Sequence, residues 1–282
     1  MRSISPPRAP EALRRRAPAW SVVASALQAL RMGALGALAG WPVLVGRAIF
    51  YLVALAVLSA LWGKVASERL AGALPLPAGG LALYVGATEW IMLSIPSIHL
   101  RLEDDIRSGA LETHLLRPKL YLVLRIAESL GDMLVRLATL GLAALGLLAL
   151  SGRSAPAEGL ACLAASAILG GVIGLLLYTL VGLSGFWVRR TLPAYLVIQK
   201  LMFLLGGLFA PVSLYTSAAF RRLSEASPFA AQLYWPSVQL IAPSAAVFAR
   251  ALALQAAWIA VLSLAAAAIW RAGVRKLLRQ GI

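Results

Sequence analysis

Long apolar runs alternate with short polar segments along the whole chain, and this pattern predicts membrane helices. About 20 consecutive apolar residues are needed to cross a hydrocarbon core of ~30 Å. Six runs approach or exceed that length: Trp41–Trp62, Leu81–Leu100, Asp132–Leu150, Leu160–Val188, Ala194–Val212 and Val247–Ala272. Ahead of them, Trp20–Met32 places Trp20, Val23, Ala24, Leu27 and Leu30 on one helical face between Arg14–Arg16 and Arg31. That spacing predicts an amphipathic helix lying on an anionic leaflet. The expected fold class is therefore an all-α polytopic membrane protein with six transmembrane helices and an N-terminal interfacial helix.

Composition agrees with this reading. The chain is 61% hydrophobic and 13% charged, with mean hydropathy +0.83, whereas soluble domains carry about 25% charged residues. The net charge of +15 does not imply nucleic acid, because Lys and Arg follow topology. With the N-terminus in the cytoplasm, 17 of the 26 basic residues fall in cytoplasmic segments and six in outer ones. This is the positive-inside bias. It returns both termini to the cytoplasmic side of a membrane, expected to be a bacterial inner membrane. Residues 1–18, rich in Pro and Arg, form an expected flexible cytoplasmic N-terminus. Residues 19–282 form one transmembrane domain.

Between spans five and six, Ser213–Ala246 is too long for a structureless loop. It carries Tyr215, Phe220, Phe229, Tyr234 and Trp235 with Pro228, Pro236 and Pro243. Such aromatics favour the head-group level, so outer re-entrant helices are expected over 213–246.

The densest polar stretch is Glu103–Pro118, which holds four of the 11 acidic residues in 16 positions. Asp104 can cap a helix there, acidic groups sit at its start, and Pro118 stops it. Such a rod would run roughly 18 Å, with Ile106, Leu111 and Leu116 on one side and Arg107 and Glu112 on the other. An ordinary amphipathic loop fits the same pattern.

Asp105-Ile106-Arg107-Ser108-Gly109-Ala110-Leu111, followed by Leu115-Leu116-Arg117-Pro118, resembles the first cytoplasmic loop of ABC-2 type permeases. More narrowly, it resembles the subgroup whose loop reads I-x-x-G-x-L-x-x-x-L-L-R-P. The likeness extends through Tyr121–Arg136, through Ser184–Trp187 and through Gly206–Pro211, and covers most of Ala19–Gln280. Met1–Pro18 has no counterpart. The resemblance implies that the loop helix, about 103–118, fits a cleft in a separate nucleotide-binding subunit and passes its ATP-driven motion to the spans. The positions carried over are Glu103, Asp105, Ile106, Gly109, Leu111, Leu116, Arg117 and Pro118, with Arg107 and Glu112 on the polar side. It also implies two copies of the ATPase and a second permease, identical or a sibling.

No G-x-x-x-x-G-K-[ST] phosphate loop occurs in the chain, so ATP and Mg are expected on the partner and no cofactor on this chain. His99 and His114 lack metal-ligand spacing, and no catalytic triad is recognisable. Charges inside spans are costly and tend to face interiors. Glu89, Asp132 and Lys200 are thus candidates for a translocation pathway or an internal ion pair, Glu89 with Lys200 first among them. An ion-gradient-driven secondary transporter using these three is the alternative function. Glu128, Asp132 and Arg136 share one helix face, which also fits an amphipathic helix along the cytoplasmic surface. The preponderance of Leu, Ala and Gly favours lipophilic or amphipathic cargo.

Overall fold

The computed structural model describes residues 19–69, 80–111, 118–150 and 155–279. Its regular structure is helical: α1 Ala19–Ala39, α2 Trp41–Arg69, α3 Gly80–Ser94, α4 Ile98–Arg107, α5 Pro118–Leu150, α6 Ala157–Leu183, α7 Leu192–Leu205, α8 Ala218–Ala226, α9 Pro228–Gln232, α10 Tyr234–Ile241 and α11 Ala245–Arg279. Six of the described segments are long and apolar enough to cross a membrane, which supports an all-α polytopic membrane protein. Residues 1–18, including Arg14–Arg16, lie outside the described residues.

Trp20–Ala39 qualifies by length and composition, so the helix expected over Trp20–Met32 continues to Ala39. The run Ala194–Val212 is not one continuous helix. α7 has 14 residues, about 21 Å at 1.5 Å per residue. The chain breaks at Gly206-Gly207, where Gly207 adopts φ 68°, a left-handed conformation that favours glycine.

α3 and α6 form the centre. α6 packs against α4, α9, α10 and α11, and α3 against α2, α5 and α10. Glycines on α6 make this possible. A Cβ on Gly170 would enter the Gln232 carbonyl, and one on Gly159 would lie 2.9 Å from the carbonyl oxygens of Gln239 and Leu240. The Gly170–Gly174 pair therefore seats the short α9, the close approach that small residues permit in membranes. Gly36–Gly40 on α1 seats no neighbouring helix: Gly36 has nothing within 4 Å of an added Cβ. The intimate contact of α1 is elsewhere. Gly33 and Gly131 let α1 and α5 cross so closely that a Cβ on Gly33 would overlap the Glu128 carbonyl, and one on Gly131 the Leu30 carbonyl.

The segment 213–246 folds as α8, α9 and α10, and most of α9 and α10 is buried. Ser217 and Ser227 cap α8 and α9, accepting from Phe220 N and Ala230 N. Trp235 Nε1 and Trp258 Nε1 each donate at 2.9 Å to the last carbonyls of α8, those of Glu225 and Ala226. These carbonyls would otherwise lack partners at a helix end. Gln255 ties the segment to the bundle through Ser166 O at 3.0 Å and Ala231 O at 2.9 Å. The short helices expected over 213–246 are present as α8, α9 and α10.

Candidate functional site

The polar stretch after α3 is built by two helix-breaking residues. Pro96 cannot donate to the preceding turn, so α3 ends at Ser94 and α4 starts at Ile98. Arg47 of α2 reaches this break and donates from Nη1 to Leu93 O at 2.9 Å, satisfying a carbonyl that the break would leave open. α4 then stops at Arg107, with Ser108 as C-cap and Gly109 at φ 74°. A glycine in the left-handed conformation just past a helix is a common terminator.

The single helix expected over 103–118 is thus corrected. Asp104 lies inside a helix that starts six residues earlier, and Gly109 ends that helix. Ile106 is part-buried on α4, and Leu111 is fully buried beyond the glycine. Glu112, Leu116 and Arg117 lie outside the described residues. Pro118 opens α5, the first helical position where its missing N–H costs nothing.

The end of α4 is fastened to two other elements, and through one of them to a third. Glu103 accepts from Thr191 N at 2.9 Å and from the Thr191 hydroxyl. Thr191 is the residue before α7, so the carboxylate sits at that helix's positive end. Asp105 pairs with Arg125 of α5 at 2.8 Å and accepts from the Tyr121 hydroxyl. The Tyr121 ring stacks on Trp270 of α11 at 5.4 Å, and Trp270 meets Phe186 edge-on at 5.7 Å. Phe186 fits against Gly273, where a Cβ would enter its ring. Lys276 Nζ donates to Phe186 O at 2.8 Å. A displacement of α4 therefore bears directly on α5 and the start of α7, and through Tyr121 on α11.

Beside this junction, a cleft of about 650 Å³ opens between α4 and the turn that follows α6. Arg107, Arg189 and Arg190 give it positive charge, and Trp187, half exposed, gives it an apolar wall. The role of residues 185–190 was hidden in the sequence behind their brevity. The available signal is the run Phe186-Trp187-Val188-Arg189-Arg190, aromatic and basic residues adjacent between two apolar helices.

The charged residues expected inside spans do not form one group. Asp132 makes a bidentate pair with Arg136 at 2.6 and 2.7 Å. Lys200 is exposed and lies over the Phe203 ring at 5.6 Å. No hydrogen bond or ion pair joins Glu89 to Lys200 among the described residues, so the internal pair expected between them is not formed. Their helices explain this: Lys200 is on an outward face of α7, while Glu89 is half-buried on α3. His99 is buried, stacked on Tyr195 at 4.4 Å and edge-on to Tyr178 at 5.2 Å.

Residues 82–281 match the family described as ABC-2 family transporter protein. No curated protein and no solved structure matches the chain. The match is narrower than the resemblance read over Ala19–Gln280, since α1, α2 and the first residues of α3 fall outside it. It still covers well over half of the 282 residues, and it contains α4, the glycine turn, α5 and the cleft. The chain therefore belongs to the ABC-2 transporter family, as the membrane component of a transporter rather than a catalytic subunit.

Proposed function

We propose that this protein is the permease subunit of an ATP-driven exporter, coupled through the end of α4 and the following turn to a separate ATPase subunit. The supporting observation is the fastening of Glu103 to Thr191 and of Asp105 to Arg125 and Tyr121. One exposed helix end is thereby tied to the start of α7 and to α5. A push there is delivered to several helices at once, as a coupling element requires. The neighbouring cleft, with Arg107, Arg189, Arg190 and Trp187, offers the charge and apolar surface on which another protein can seat. Glu112, Leu116, Arg117 and Pro118 complete the contact in this reading.

The wider assignment follows from the same reading. Two ATPase copies, with ATP and Mg, bind on the cytoplasmic side of a bacterial inner membrane, where both termini also lie. A second permease, identical or a sibling, completes the pathway, and the cargo is lipophilic or amphipathic. The secondary-transporter alternative gains no support, because Asp132 is neutralised by Arg136 and Lys200 faces outward.

The test is co-expression of the chain with the ATPase and permease encoded beside it. The expected result is a complex that purifies with the ATPase, and whose ATP hydrolysis is uncoupled from transport by Arg107→Glu or Glu112→Lys while assembly of the helices persists. A chain that purifies alone with full transport activity refutes the proposal.

A further inference from the structure

We propose that a cavity bounded by α1, α2, α4 and α5 binds the phosphate head group of an anionic lipid. It has a volume of about 250 Å³ and is lined by Arg47, Arg101, Glu128, Asp132 and Arg136. Three cations face two carboxylates, so the lining carries one net positive charge. The carboxylates are already engaged. Asp132 holds Arg136 through two oxygens, and Glu128 accepts from Arg101 and Arg125 at 3.1 Å each.

What remains is donor capacity. Arg136 Nη1 is buried and has no hydrogen-bond partner. Arg47 uses one nitrogen on Leu93 O, and a guanidinium carries five N–H donors. A cavity with surplus donors and net positive charge selects an anionic acceptor, and arginine's fork matches phosphate oxygens. A buried guanidinium N–H without a partner is costly, more so than a neutral group, and a phosphate oxygen relieves that cost.

The walls point to a lipid rather than a free ion. Gly36 and Gly40 line the cavity without side chains, and Gly36 has nothing within 4 Å of an added Cβ. Met32 and Val43, also on the lining, are 62% and 64% exposed. Apolar residues at the mouth suit acyl chains, while the arginines take the head group. Half of the site, α1 and α2, lies outside the family match. The proposal does not rest on coupling to an ATPase.

The test is native mass spectrometry of the full chain released from micelles containing phosphatidylglycerol or phosphatidylcholine. The wild-type chain is expected to retain phosphatidylglycerol in preference. Gly36→Leu fills the cavity from its open wall and should reduce that retention roughly tenfold, the loss of one charge-assisted contact set. Gly46→Leu adds the same bulk on α2, also with nothing within 4 Å, outside the cavity, and should leave retention unchanged. Asp132→Asn combined with Arg136→Gln keeps the net charge and removes the unpartnered donor, and should match Gly36→Leu. Equal retention of the two lipids, or equal loss at Gly36 and Gly46, overturns the proposal. So does displacement of the bound lipid by inorganic phosphate at equal concentration, which would make the site one for a free anion.

Discussion

α2 and α6 have nearly the same mean hydropathy, 2.2 and 2.4, yet 6% of the apolar window of α2 is buried within the protein against 56% of that of α6. Apolarity therefore says that a helix belongs in a membrane and says nothing of whether it faces lipid or protein. The glycines do distinguish them. On α6, Gly159, Gly170, Gly171, Gly174 and Gly182 each lie where an added Cβ would meet another element. On α2, Gly46 and Gly63 have nothing within 4 Å. In a bilayer, packing between helices depends on close backbone approach, and the glycines on α6 record where that approach is used. The exposed face of α2, with Ile49, Phe50, Val53, Val57 and Leu61, is left for lipid or a second permease.

The largest expected effect breaks this contrast directly. Gly170→Leu should destabilise the chain by about 3 kcal/mol or more, since overpacking alone costs ~1–3 kcal/mol and the added side chain would meet the backbone of α9 at Gln232. Gly46→Leu and Gly63→Leu should stay within about 0.5 kcal/mol. Thermal unfolding in detergent, followed by tryptophan fluorescence, measures both. Equal losses on the two helices would mean that α2 is packed after all. Next in size, Gly33→Ala or Gly131→Ala should free α1 from α5 at a cost of about 1–3 kcal/mol. The sharper readout is increased protease cleavage within α1 while α3 to α11 stay protected.

A smaller and more local effect is expected at Gly109. Gly109→Ala forces a left-handed conformation on a residue with a Cβ, about 1–2 kcal/mol. It should loosen the turn without lowering the melting midpoint of the bundle by more than a few degrees, and should weaken ATPase stimulation in the assembled complex. The smallest effect is for Lys200→Met. With Lys200 exposed over Phe203, the change should fall within about 0.5 kcal/mol and leave the ATPase rate of the complex unchanged. A large loss there would restore an ion pair for Lys200 and favour the secondary-transporter reading.

Much of this was legible in the chain. The alternation of apolar runs carried the all-α membrane class, and the aromatic and proline content of 213–246 announced short helices there in place of a free loop. The stretch at 103–118 was visible as a polar island, but its shape was not. Pro96-Ser97 moved the helix start upstream to Ile98, and Gly109 acted as a terminator although its place among good helix formers made it look internal. Ala194–Val212 reads as one continuous helix because Gly206-Gly207 lies within an apolar run, and only the φ of 68° at Gly207 reveals the break. The Gly33–Gly131 crossing left no pattern, because each is a lone glycine in a different helix and their pairing is a property of three dimensions. The Glu103–Thr191 contact is hidden for the same reason, its partners being 88 positions apart.

The central claim is that the end of α4 is where another subunit acts. It is tested most directly by site-specific cross-linking in a Cys162→Ser background, which removes the chain's single cysteine. Ser108→Cys, at the exposed C-cap of α4, carries a short photo-activated reagent in membranes that contain the co-expressed ATPase. Ala219→Cys on α8 serves as the comparison. Position 108 should form an adduct with the ATPase, strengthened by ATP, and position 219 none. Absence of the adduct at 108 in a complex that still hydrolyses ATP, or an equal adduct from 219, would contradict the claim.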